Sequence, residues 1–367
     1  MGLPLRFIFP FRTKTQNLKH RTSSLYKYIF PSFVSHFFKL YFRNIAANRS
    51  GGFKSATSIP FGKIRSPKFP RVLSVNCHSA NCHLNRQLSS NYYLRAMNRL
   101  QLIEQIQQKR SFLCVGLDTD ITKLPKHFQS NPKAVVEFNK AIIDATKAYC
   151  VAYKINTAFY ESQGLKGWEA MEETLHYIPS THFTIADAKR GDIGNTSTQY
   201  AKTFFEALPF NSVTVAPYMG EDSVRPFLEY KDKFAIVLGL TSNAGANDFQ
   251  KLLVGRHTGH EKYLYQTLIE KVASWGTADN LMFVVGATRA SDLADIRNII
   301  PDNFLLVPGV GAQGGSLCEV SKNGMNETCG LLVNASRAVI FASAGEDFAG
   351  AAEKAAREYA EEMAGYM

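Results

Sequence analysis

The chain has 367 residues, 45% of them apolar, enough for one large core or two small ones. No run of about 18 uncharged apolar residues occurs, which argues against a transmembrane helix. The six cysteines (Cys77, Cys82, Cys114, Cys150, Cys318, Cys329) are too scattered for a disulfide framework, so a reducing cytosol is the expected home. The net charge of +11 belongs to one end only: residues 1–96 hold 16 Lys and Arg and no Asp or Glu, whereas the remainder holds 26 basic and 31 acidic residues.

The basic front segment, rich in Phe and Ser, lacks helical or strand periodicity and is expected to be disordered. Three readings compete for it. It suits an organelle-targeting peptide, a basic tail for nucleic acid or anionic membrane, or upstream sequence outside the working enzyme, with Met97 as the start. The third is preferred, because the body needs nothing before it. "CHSANCH", Cys77 to His83, matches no common zinc spacing. The mildly acidic body, 97–367, calls for neither nucleic acid nor membrane.

The body opens with a short amphipathic helix in "MNRLQLIEQIQQKR". Eight short apolar runs then predict strands: 112–117, 151–156, 183–188, 212–217, 234–240, 283–288, 304–310 and 337–342. Stretches of helical spacing such as "PKAVVEFNKAIIDATKAY" lie between most of them. Strands alternating with helices imply parallel pairing, and continuous apolar strands imply burial on both faces. Eight such units in this length suit a closed (β/α)₈ barrel, a TIM barrel, with a doubly wound open sheet as the alternative.

The polar residues gather at strand ends. Asp118 follows the first strand, and Lys154 and Asn156 end the second. Asp187 and Lys189, in "TIADAKRGDIGN", end the third, and Ser242 follows the fifth. In a barrel these ends converge on one mouth. Residues i and i+2 of a strand share a face, so Asp187 and Lys189 both point into it. Two lysines and two or three acids crowded there would cost stability unless paired, which is the pattern of a functional site. No histidine joins them; His127, His176 and His182 read as surface residues. Proton transfer therefore falls to lysine or carboxylate. The loop "PGVGAQGG", Pro308 to Gly315, offers unobstructed backbone N–H groups where barrels often hold phosphate, and Arg337, at or just before the eighth strand, adds a charged donor. Its match to a dinucleotide fingerprint (Gly309, Gly311, Gly314) comes too late in the chain to carry weight.

Taken together and in order, "FLCVGLDTD", "YKIN", "DAKRGD", "VTVAPYMGED", "LTSNAGANDFQ", "PGVGAQGG" and "SRAVIFAS" resemble the orotidine 5′-phosphate decarboxylase family, in its bacterial type 2 subgroup, over about residues 97–365. The resemblance implies a reaction, orotidine 5′-phosphate to uridine 5′-phosphate in pyrimidine biosynthesis, and a role for each matching position. Lys189 would protonate ring carbon six as carbon dioxide leaves, and Asp187 would sit against the substrate carboxylate. Asp118 and Lys154 would hold the ribose hydroxyls. Asp192, with Ile193 and Thr196, would enter the site of a second subunit, making a homodimer. Ser242 would meet the pyrimidine. Gln313 and Arg337, with Pro308, Gly314 and Gly315, would hold the phosphate. No metal or organic cofactor is implied. "RG" between Lys189 and Asp192 departs from the apolar residues expected in other branches.

Two rivals remain at this level. A Mg²⁺-dependent sugar-phosphate decarboxylase or aldolase of the same superfamily would need further acidic ligands, for which Glu221 and Asp222 are the spare candidates. A non-catalytic binder would act through the basic front segment.

Overall fold

The computed structural model describes residues 97–367, apart from 129–130, 256–258, 260 and 312–313. The expectations for residues 1–96, the "CHSANCH" stretch among them, and for Gln313 lie outside the described residues.

Eight parallel strands close into a barrel: β1 (Leu113–Gly116), β2 (Ala152–Asn156), β3 (Phe183–Arg190), β4 (Ser212–Val215) and β5 (Phe234–Leu240), then β8 (Leu281–Val285), β9 (Leu305–Pro308) and β10 (Leu331–Ala335), which returns to β1. A two-stranded hairpin, β6 (Leu253–Val254) with β7 (Lys262–Tyr263), is inserted after β5. The helices are α1 (Arg99–Lys109), α2 (Ala134–Thr146), α3 (Ala158–Glu161), α4 (Leu165–Tyr177), α5 (Gly194–Lys202), α6 (Glu221–Leu228), α7 (Ala246–Phe249), α8 (Leu264–Ala273), α9 (Ala290–Ile299), α10 (Leu317–Gly324), α11 (Arg337–Ile340) and α12 (Phe348–Ala364).

The strands are apolar along their length because both faces are covered. Every residue of β1, β4, β8 and β10 is buried. Helices dock through apolar stripes, as α2 does with Val135, Phe138, Ile142 and Ile143. The opening amphipathic stretch is α1, started by a reciprocal capping box between Asn98 and Gln101 and stopped by left-handed Arg110.

Seven of the eight expected strands lie where the apolar runs lie. The eighth does not: it is Leu331–Ala335, paired with β9 and β1, while the run at 337–342 begins with the one-turn helix α11. Asn334 interrupts the apolar character of the true strand and hides it from a hydrophobicity reading. Arg337 therefore follows the last strand, at the same end of the barrel as the other polar residues.

Candidate active site

Four charged side chains form a row across the barrel mouth. Lys154 on β2 donates from Nζ to Asp118 Oδ1 and to Asp187 Oδ2, both at 3.0 Å. Lys189 Nζ donates to the other oxygen of Asp187, Oδ1, at 2.6 Å. The order Asp118, Lys154, Asp187, Lys189 alternates in sign and sums to zero. The same four line a cavity closed on the other side by Pro308, Gly309, Asn334, Ser336 and Arg337.

Register sets the row. Lys154 stands opposite Gly116 on β1 and Ile185 on β3, and Asn156 opposite Asp187. The strand ends thus rise by steps around the rim and bring three chain segments within ion-pair distance. At Lys189 regular pairing fails: the β3–β4 register shifts between Ala186 and Arg190, and Lys189 takes a left-handed φ of 45°. That conformation costs a non-glycine residue roughly 1 kcal/mol. Thr214 on β4 fills the gap, accepting from the Lys189 backbone N–H at 2.8 Å and donating to Asp187 Oδ1 at 3.1 Å. Behind Asp118 a buried network fixes β1's exit. Thr119 donates to Asn139, Asn139 donates to Tyr160 and Thr174, and Tyr160 donates to the Leu117 carbonyl.

Burial and charge act in opposite directions on these groups. Burial alone would lower the pKa of Lys154, but Asp118 and Asp187 outweigh it and hold the ammonium group above its usual range. Burial alone would raise Asp187, but Lys154 and Lys189 hold its carboxyl well below the usual carboxylate range. Both are charged at neutral pH.

The remaining candidates divide. Arg337 lines the cavity, is exposed, and makes no ion pair with any described residue. The loop beside it turns on left-handed glycines at 309, 311 and 314, but its amides are less free than the sequence suggests. Gly311 N–H bonds to the Gly315 carbonyl, Gly314 N–H to Gly311, and Gly315 N–H to Gly309, because so tight a turn satisfies its own backbone. Gly315 lies against Ala287, where a side chain would clash. Ser242 lies beside Gly286, off the described cavity lining. Asp192 stays with its own backbone, accepting from Ile193 N–H at 2.8 Å, and Ile193 and Thr196 are exposed; none of the three lines the cavity of this chain.

His127 and His176 are exposed as expected, but His182 is buried, with Lys109 Nζ and the Lys147 carbonyl each 2.9 Å from its Nε2. It begins the approach to β3 and fills space beside Tyr153. Glu221 pairs with Arg225, and neither Glu221 nor Asp222 lines the cavity. Among the described residues no group of three or more His, Cys, Asp or Glu is arranged to hold a metal ion, and no helix is long and apolar enough to cross a membrane.

Three contributors escaped the sequence reading. Thr214 sits in a run that reads as plain strand core. Ser336 donates to the Gly116 carbonyl at 3.1 Å, and Asn334 lines the cavity with a buried Oδ1 that no described group reaches. The signal for both was a pair of polar residues two apart, "NAS", on a strand that the hydrophobic pattern misplaced.

Comparison with known proteins accords with this geometry. A family model described as "Orotidine 5′-phosphate decarboxylase / HUMPS family" matches residues 111–355. The orotidine 5′-phosphate decarboxylase of Bacteroides fragilis is 56% identical over 271 residues, 73% of this chain and 97% of that protein. That of Flavobacterium johnsoniae is 58% identical over 271 residues, with the same coverage. Among solved structures, Leishmania donovani OMP decarboxylase superposes with a TM-score of 0.63 at 37% identity, covering 74% of this chain and 98% of that one.

Proposed function

The chain belongs to the orotidine 5′-phosphate decarboxylase / HUMPS family, and from that premise we propose how its charged row carries the reaction. The reaction is the decarboxylation of orotidine 5′-phosphate to uridine 5′-phosphate. The observation that carries the proposal is the neutral, alternating row Asp118–Lys154–Asp187–Lys189 at the barrel mouth.

The bond from ring carbon six to the carboxylate breaks, carbon dioxide leaves, and the electron pair stays on the carbon. No adjacent carbonyl delocalises it. A fixed ammonium group stabilises such charge as it develops, without reorganisation. Lys189 is that group in our reading; its proton then passes to carbon six, and solvent restores it. Asp187 lies beside the leaving carboxylate and holds Lys189 at 2.6 Å. Asp118 and Lys154 take the ribose hydroxyls, Ser242 the pyrimidine, and Arg337 the phosphate with Gln313 and the Pro308–Gly315 loop. Binding energy at the phosphate, remote from the reacting carbon, helps hold the site closed over it. The reading asks for no metal or organic cofactor.

Asp192, Ile193 and Thr196 act in the site of a second copy, so the working unit is a homodimer. Their absence from this chain's own cavity lining supports that reading. The catalytic unit is residues 97–367, working in the cytoplasm, with 1–96 outside it. The test is the ultraviolet absorbance change of orotidine 5′-phosphate in excess chelator: undiminished turnover is expected, and strict dependence on added Mg²⁺ would move the assignment to the sugar-phosphate branch.

A further inference from the structure

The dipeptide Arg190-Gly191 stands between the lysine and the second aspartate of the "DAKRGD" motif, and the reaction as described has no use for the arginine. Its surroundings give it one. The peptide unit joining Ala188 to Lys189 lies in the stretch where β3 and β4 lose register. Its two polar ends are held by side chains instead. The N–H of Lys189 goes to Thr214 Oγ1 at 2.8 Å, and the carbonyl of Ala188 accepts from Arg190 Nη1 at 3.1 Å. Fixing this plane fixes one side of the rotation about the Lys189 N–Cα bond, where the left-handed φ of 45° is found. Strand pairing resumes at Arg190 itself, opposite Val215, with the Arg190 carbonyl accepting from Ala216 N–H at 2.8 Å.

The guanidinium is anchored in turn. Its Nη2 bonds to Glu161, at the end of α3, which directly follows the strand carrying Lys154. Its carbon lies 5.4 Å from the ring centres of both Tyr200 and Phe204. Nε is buried and meets no described partner. An unsatisfied buried donor next to a left-handed lysine marks local geometry kept for something other than stability.

We propose that Arg190 is a positioning residue for Lys189: with Glu161 it forms a half-buried brace that locks the Ala188–Lys189 peptide and so aims the Lys189 ammonium group along Asp187 into the mouth. The brace also ties the exit of β2, bearing Lys154, to the exit of β3, bearing Asp187 and Lys189. The proposal rests on the decarboxylase reading of the site, and its test uses one readout that does not.

Arg190→Met keeps an unbranched stem over Tyr200 and Phe204 but removes both hydrogen bonds of the guanidinium; Arg190→Lys keeps one charge for Glu161. Misplacement of a reacting group by about 1 Å can cost on the order of 10²-fold. Arg190→Met should therefore lower kcat about 10- to 100-fold, while KM and the Kd of uridine 5′-phosphate stay within about threefold. Arg190→Lys should fall between it and wild type. Glu161→Gln should add little in the Met background, since both act through one contact. Independently of turnover, acetic anhydride labelling of Lys189, followed by mass spectrometry, should quicken about threefold or more in Arg190→Met. That follows because a Lys189 side chain no longer held against Asp187 at 2.6 Å is freer to meet the reagent.

A purely structural arginine would lower the melting temperature and leave kcat per folded site and Lys189 labelling as in wild type; that result overturns the brace. A fall in kcat without faster labelling, or faster labelling with kcat intact, overturns it too. If Arg190→Met does not fold, Arg190→Lys is judged by the same two measurements. If labelling responds while the wild-type protein fails to decarboxylate orotidine 5′-phosphate, the brace stands and the reaction assignment falls.

Discussion

Replacing Lys154 by Met should unmask the cost of the charged row. Lys154 is 4% exposed and meets two carboxylates, each at 3.0 Å. At that distance and an effective dielectric of about 20, each contact is worth roughly 5 kcal/mol of gross attraction. Desolvation of the ammonium group cancels much of this, so the intact row adds little net stability. Deleting one member is different, because Asp118 and Asp187 then remain partly buried without their shared cation. Such losses run about 3–5 kcal/mol. We expect about 3 kcal/mol at neutral pH, since Lys189 still serves one oxygen of Asp187. The melting temperature should fall by about 6–12 °C for a domain of this size.

The pH dependence carries the signature. In wild type the Asp187 carboxyl lies below its unfolded value, so its contribution is complete above about pH 4 and is lost as pH falls toward the folded pKa. In Lys154→Met that counter-charge is gone and only Lys189 still opposes burial, so the Asp187 pKa rises. The deficit should then be largest near pH 8 and shrink toward pH 5 as the acid takes up its proton. Urea unfolding of both proteins from pH 5 to 8 measures this. A deficit below about 1 kcal/mol, or one constant across the range, would mean that the carboxylates are solvated without Lys154 and that the row is not a coupled unit.

Lys189→Ala and Asp192→Ala should each lower kcat at least about 10³-fold as homodimers, yet mixing them with subunit exchange should restore about a quarter of wild-type activity. No recovery despite exchange shown by native mass spectrometry would confine Asp192 to its own chain. His182, whose pKa burial and then Lys109 push down to about 4, is neutral when folded. Stability should thus decline as pH drops below about 6.5, by about 2 kcal/mol at pH 5; urea titration of His182→Gln should show that slope removed, and an unchanged slope would refute the assignment. A protein beginning at Met97 should fold and turn over like the full chain, checked by circular dichroism and the absorbance assay.

What could be read in the sequence was what local pattern records. Apolar runs broken by charge placed seven strands and the exits that bear Asp118, Lys154, Asp187 and Lys189. The eighth strand was misplaced because Asn334, whose buried oxygen faces the cavity, breaks the very pattern used to find strands. Thr214 could not be found that way. A threonine in a strand is unremarked until register places it opposite a gap in β3. The loop at 309–315 advertised glycine freedom correctly, but only the folded turn shows that three of its amides are already taken. His182 was misjudged because sequence cannot show that Lys109 and Tyr153 enclose it.

The two lysines look equivalent in sequence, yet only one suits the role of acid. Lys154 spends two of its three N–H bonds on carboxylates, is buried, and is held above its ordinary pKa, so giving up its proton would strand two negative charges in a poorly solvated place. Its value lies in staying charged and still. Lys189 has one carboxylate partner and a side chain 51% exposed, and it reaches the mouth from a backbone bend rather than from the regular strand. On the proposed reading, that exposure lets solvent return the proton after each turnover. Asp187 serves both cations, one on each oxygen. That division keeps Lys189 aimed while Lys154 neutralises the remaining charge. A nearby substrate carboxylate would be repelled by Asp187 and drawn by Lys189, and its departure as carbon dioxide would leave the new electron pair facing the same ammonium group. On the proposed reading, the residue that stabilises the charge is also the one placed to quench it.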